Sequence, residues 1–136
     1  MRKTEDVSTQ NFESERIIAA IDLGTNSVHM VIVRLEPQIP SFSIIGKEKE
    51  TVRLGDRDVE TGNLKLKIME RTINALQRFQ EIAKTFLSEA TIAVATSAIR
   101  EAPNGREFLY RIKRELNLHV DLILVLCDTK ISTTDL

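Results

Sequence analysis

The sequence predicts an α/β domain built on one mixed five-stranded sheet, with the element order β-β-β-α-β-α-β. Three observations lead there. Short apolar runs separated by Gly, Asn and Pro fill the first part of the chain, as strands joined by turns would. The middle switches to apolar residues spaced by three and four, the period of an amphipathic helix. Two further short apolar runs then alternate with helical segments, the spacing of crossover units in a parallel sheet. At 136 residues the chain suits one compact domain, since a domain near this size buries roughly 68–70% of its unfolded surface.

Residues 1–15 are polar and lack periodicity, so they are expected to form a flexible N-terminal arm, with the domain starting at Arg16. Ile17 to Asp22 is the first strand and Val28 to Leu35 the second, joined tightly through Gly24-Thr25-Asn26-Ser27. A third, about Phe42 to Thr51, follows Pro37 and Pro40, whose fixed φ and missing N–H groups mark a connection. Leu66, Met69, Ile73, Leu76, Phe79, Ala83 and Phe86 lie along one stripe of a long helix, with Thr61-Gly62-Asn63 offering its start. Ile92 to Ala95 is a buried strand with Thr96-Ser97 at its exit, and Pro103 limits any helix begun there. Asn104 followed by Glu107 has the spacing of an N-cap with a capping-box acid. Phe108, Leu109, Ile112 and Leu116 continue that helix on one face, Asn117 ends it, and Val120 to Leu126 is the last buried strand.

Nineteen Lys and Arg nearly cancel twenty Asp and Glu, giving a net charge of −1. No global field then favours nucleic acid or an anionic membrane, neither is expected as a partner, and any bound anion must be held by local geometry. The single Cys127 excludes an intramolecular disulfide, and there is no apolar run of about 18 residues and no basic-then-apolar N-terminus. A cytoplasmic protein is expected.

The most informative stretch is Ile21-Asp22-Leu23-Gly24-Thr25-Asn26-Ser27. Gly24 lets the backbone approach a ligand, successive N–H groups and hydroxyls can donate to phosphate oxygens, and Asp22 can hold a divalent metal or a water. The same residues also make an ordinary hairpin turn. Thr96 and Ser97 present hydroxyls where a strand becomes a helix, and Arg100 one turn later adds a forked cationic donor suited to phosphate. Alone, that segment reads rather as a capped helix whose arginine pairs with Glu101 or solvent.

The first loop looks like the first phosphate loop of the actin, sugar-kinase and heat-shock ATPase superfamily. The longer string IAAIDLGTNSVHMVIVR resembles the exopolyphosphatase and guanosine pentaphosphate phosphohydrolase (Ppx/GppA) family. Ala95 to Asn104 is similar to that family's second phosphate-facing motif, ATSAxREAxN, and both motifs occur in the right order. The resemblance spans roughly Arg16 to Ile123. It implies a ribonuclease H-like (actin-like ATPase) domain, first lobe only, over 16–126, and hydrolysis of terminal phosphoanhydrides in inorganic polyphosphate or guanosine pentaphosphate. It also implies a divalent metal, Mg2+, near Asp22, one phosphate on Gly24, Thr25, Asn26 and Ser27, and the next on Thr96, Ser97 and Arg100. Val52-Arg53-Leu54-Gly55 becomes the loop leading to the crossover helix, with Arg53 a further phosphate contact. A lone arginine in such a polar segment is also what a solvated surface looks like. His29 and His119 lack ligand spacing and are assigned to no metal.

After the last strand the family carries a glycine turn and a Glu-Glu-Ala segment whose glutamate activates water. This sequence reads Leu124-Val125-Leu126-Cys127-Asp128-Thr129-Lys130 instead, so no catalytic base is assigned. Asp128 has the wrong spacing and neighbours for that role. Residues 127–136 are expected to be a non-family tail and the chain a truncated first lobe, limited to phosphate binding and prone to self-association through an exposed lobe interface. Two other readings are open: a non-catalytic polyphosphate-binding or interaction half-domain, and a fragment of an ATP-using kinase or actin-like ATPase.

Overall fold

The computed structural model describes residues 15–36 and 41–124. Pro37 and Pro40, the proposed arm up to residue 14, and the tail with Cys127 and Asp128 lie outside them. The elements are β1 (Arg16–Leu23), β2 (Ser27–Glu36), β3 (Ser41–Thr51), α1 (Leu66–Thr85), β4 (Ala90–Ala95), α2 (Ser97–Glu101), α3 (Gly105–Leu116) and β5 (Val120–Leu122). They form one mixed sheet in the order β3-β2-β1-β4-β5. The first three strands are an antiparallel meander, and β4 and β5 add in parallel on the other side of β1.

Alternation along the strands divides the sheet into two faces. Ala19, Ile21 and Leu23 of β1, with Val28, Met30 and Ile32 of β2 and Ala93 and Ala95 of β4, are buried with Leu76 and Phe79 of α1 and Phe108 and Ile112 of α3. The intervening residues make the second face. There Phe42, Ile44 and Ile92 remain 64%, 48% and 53% exposed.

Helix α1 begins three residues beyond the Thr61-Gly62-Asn63 start, because Asp58 accepts hydrogen bonds from the Glu60 and Thr61 amides and the Thr61 hydroxyl and closes a separate turn there. The Thr61 amide is the largest cause holding the Asp58 carboxyl below its ordinary range. Leu66, at the first helical position, is exposed, while Ile68 and Thr72 take buried places. Thr72 is tolerated there because its hydroxyl donates to the Ile68 carbonyl at 2.8 Å. Strand β5 leaves its ladder at Leu122, where its partner β4 ends at Ala95 and turns into α2; the last link is Ile123 N–H to the Ala95 carbonyl, 2.9 Å.

Asn104 precedes α3 as expected, yet its side chain makes no cap hydrogen bond. It accepts from the Leu64 N–H at 2.8 Å and donates to the Leu64 carbonyl at 3.2 Å, tying the β3–α1 loop to the corner between α2 and α3. The long-range partner satisfies both ends of the amide, whereas a cap would use only one. Asn104→Ala should therefore cost about 1–3 kcal/mol in urea unfolding. Asn104→Ser, which keeps capping ability, should lose as much; full stability of the serine variant would restore the capping role. At the other end Asn117 does terminate α3, in the left-handed conformation with φ 53° and ψ 38°.

Candidate phosphate site

The parallel register sets Leu23 of β1 beside Ala95 of β4, so the two candidate loops leave adjacent strands at the same edge of the sheet. In a parallel sheet the carboxyl ends of neighbouring strands open on one crevice.

The first loop is a four-residue turn closed by Gly24 N–H on the Ser27 carbonyl, 3.0 Å. A side chain at Gly24 would press on that same oxygen at 3.1 Å, which explains the glycine. The carbonyls are turned into the protein: Thr25 O accepts from the Gly55 amide at 2.8 Å, and Asn26 O accepts from Val52 and Arg53 at 3.1 and 2.9 Å. The Thr25 and Asn26 N–H groups make no hydrogen bond among the described residues. With the carbonyls occupied, backbone N–H groups that have no protein partner can donate to an anion.

Ser27 departs from the expected open row of donors. It is only 5% exposed, and its Oγ lies 3.4 Å from Thr51 Oγ1 on β3, a contact longer than an ordinary hydroxyl hydrogen bond. Arg53 sits against the turn through its own amide, in a left-handed conformation with φ 61° that is uncommon for a side chain of its size. Its guanidinium is exposed and forms no ion pair among the described residues.

In the second loop Thr96 precedes α2 without using its hydroxyl as a cap, and Thr96 and Ser97 are both partly exposed. Arg100 is more committed. Its Nη1 donates to the Ile123 carbonyl at 2.8 Å, pinning the side chain across the end of β5, while Nη2 stays 3.8 Å from Glu101.

Asp22 is exposed on the uncovered face, opposite His29 of β2 and beside Val94 of β4. The neighbouring His29 was legible in principle: a four-residue turn fixes the antiparallel register, and that register pairs Asp22 with His29. Among the described residues no group of three or more His, Cys, Asp or Glu is placed to hold a metal ion. Also unforeseen was Arg57, whose Nη2 stands 3.8 Å from Glu101, the residue that follows Arg100.

Residues 31–125 match the Ppx/GppA phosphatase family. The chain is similar to a guanosine-5'-triphosphate,3'-diphosphate pyrophosphatase of Vibrio cholerae, 34% identical over 110 residues that cover 81% of this chain and 22% of that one. Among solved structures, a Ppx/GppA family member from Aquifex aeolicus superposes with a TM-score of 0.75 at 37% identity, over 81% of this chain and 35% of that one. An exopolyphosphatase from Cytophaga hutchinsonii gives 0.74 at 30% identity, over 81% and 35%. The chain spans about a third of the length of the relatives it matches, or less, at their N-terminal part.

Proposed function

The chain belongs to the Ppx/GppA phosphatase family and has the first-lobe architecture of its actin-like ATPase fold, and from that premise we propose that it holds the phosphoanhydride chain of inorganic polyphosphate or guanosine pentaphosphate. The observation that carries this reading is the shared sheet edge: the turn whose Thr25 and Asn26 amides make no hydrogen bond among the described residues and the segment with Thr96, Ser97 and Arg100 leave the adjacent strands β1 and β4 at the same edge. One phosphate lies on the Thr25 and Asn26 amides, with Gly24 closing the turn that presents them, and the next on Thr96, Ser97 and Arg100, with Arg53 at the rim. Ser27 is nearly buried, and its carbonyl closes the turn.

The family resemblance implies Mg2+, which keeps several waters and takes one or two carboxylates together with substrate phosphates, so it needs no cluster of protein ligands. Asp22 would supply the carboxylate, and the ion would neutralise phosphate charge. In the larger family reaction, water displaces a terminal phosphate, a step that depends on positioning and charge neutralisation.

Equilibrium titration with pyrophosphate and with long-chain polyphosphate tests the reading. Binding should weaken as salt rises. Arg100→Ala should lower affinity about tenfold, roughly one charge-assisted hydrogen bond. ATP should not compete; if ATP competes and polyphosphate does not bind, the site is that of a nucleotide-using relative.

The uncovered sheet face supports a second proposal, association with another copy of this chain. Phe42, Ile44 and Ile92 present apolar surface to water, and burying such surface is favourable by about 25 cal/mol per Å2. Sedimentation should show concentration-dependent association that Ile92→Lys removes without loss of helix content. A monodisperse wild-type monomer would overturn it.

A further inference from the structure

Glu101 stands between two guanidinium groups. Arg57 Nη2 lies 3.8 Å from its Oε1 and Arg100 Nη2 lies 3.8 Å from its Oε2. Both separations exceed the roughly 2.7–2.9 Å of a charge-assisted N–H···O bond, so the carboxylate is shared by two cations and hydrogen-bonded to neither. The three side chains are 30%, 31% and 56% exposed, in the order Arg57, Arg100, Glu101. Ion pairs in so wet a setting contribute about 0–1 kcal/mol and exchange readily.

The surroundings leave Arg57 with Glu101 as its counter-ion among the described residues. Asp56 is taken by Lys65 at 3.2 Å, and Asp58 by the turn it closes. The loop carrying Arg57 is fixed on both sides, by the Gly55 amide on Thr25 and by the Asn104 clasp on Leu64. Arg100 is fixed by the Ile123 carbonyl. A fork carried on a fixed loop and a fork braced on Ile123 thus flank one anion that fits neither closely.

We propose that Arg57 and Arg100 form a third anion subsite, filled by the Glu101 carboxylate in the free protein and by a further phosphate group of a longer phosphoanhydride chain in the complex. This deepens the polyphosphate reading and rests on it. A phosphate group carries more oxygens than a carboxylate and can accept from both forks at hydrogen-bonding distance, which Glu101, tied to its own helix, does not. Exchange swaps a loose contact for a closer one. The subsite acts only on ligands longer than the two phosphates that the first two loops accommodate, so it discriminates by chain length.

The test compares pyrophosphate with long-chain inorganic polyphosphate, titrated into the wild type, Arg57→Ala and Glu101→Gln. Arg57→Ala should weaken polyphosphate about five- to tenfold and leave pyrophosphate unchanged, so pyrophosphate also reports that the variant is folded. Glu101→Gln should tighten polyphosphate a few-fold, because the resident anion no longer competes. Equal losses for both ligands in Arg57→Ala, no loss for either, or weaker polyphosphate binding in Glu101→Gln would each overturn the subsite. Wild type that binds neither ligand would overturn the polyphosphate reading and the subsite with it.

Discussion

Gly105→Ala is expected to abolish stable folding or to cost more than the roughly 1–3 kcal/mol usual for overpacking. A Cβ at Gly105 would stand 1.9 Å from the Ile99 carbonyl oxygen and 3.0 Å from its carbon. These are backbone atoms of α2, so no rotamer change relieves the clash. Either α3 moves away from α2, exposing Phe108 and Ile112, or α2 shifts and carries Thr96, Ser97 and Arg100 with it. Gly62→Ala is the control. Gly62 has φ +77°, and the nearest atom to an added Cβ is Pro103 Cδ at 3.7 Å, so only conformational strain of about 1 kcal/mol is expected. Urea unfolding of the two variants should separate them widely; similar midpoints would show that the α2–α3 contact gives way easily.

The strands and α3 were legible because each obeys its own period: β1 to β4 lie within two residues of the expected bounds, and Asn117 stops α3 where the sequence says it should. Gly105 was not legible, since its need comes from Ile99, a neighbour in space whose approach has no local signature. Asn104 shows the same limit more sharply. The Asn-x-x-Glu spacing is a sound local signal for a cap, but Leu64, forty residues earlier, offers the amide two partners instead of one. Thr72 looks polar in the helical pattern and is buried because it satisfies itself within the helix.

The site was legible as two motifs and illegible as an arrangement. Gly24 to Asn26 and Thr96 to Arg100 could be picked out by residue type, and the parallel register then sets them side by side. What spacing along the chain could not show is how the donors are used. Ser27 is nearly buried beside Thr51, Arg100 is braced on Ile123, and the β3–α1 loop satisfies the turn's carbonyls while its Thr25 and Asn26 amides make no hydrogen bond among the described residues. Arg53 shows backbone and side chain behaving differently. Its side chain is exposed, as a polar segment suggests, while its amide is bonded to Asn26 and its backbone is held left-handed beside the turn.

Phosphate release by this chain should not exceed that of a no-protein control, even where polyphosphate binds. Attack of water on a phosphoanhydride needs a group to take the proton and positive charge to receive what develops on the phosphate oxygens. Of the carboxylates named at the site, Asp22 is the one the proposed Mg2+ would engage, and Glu101 faces Arg57 and Arg100. The resemblance places the base in a Glu-Glu-Ala segment after the last strand, where this sequence reads Leu124-Val125-Leu126-Cys127-Asp128. Removing a general base typically costs about 10²–10⁴ in rate, enough to bring a slow hydrolysis towards background while leaving the phosphate donors intact. Binding and turnover should therefore come apart: a titration gives saturable, salt-sensitive association, and a phosphate-release assay with Mg2+ gives none. Metal-dependent release that Asp22→Ala abolishes would overturn this expectation and require another base, with Asp128→Asn the first variant to assay.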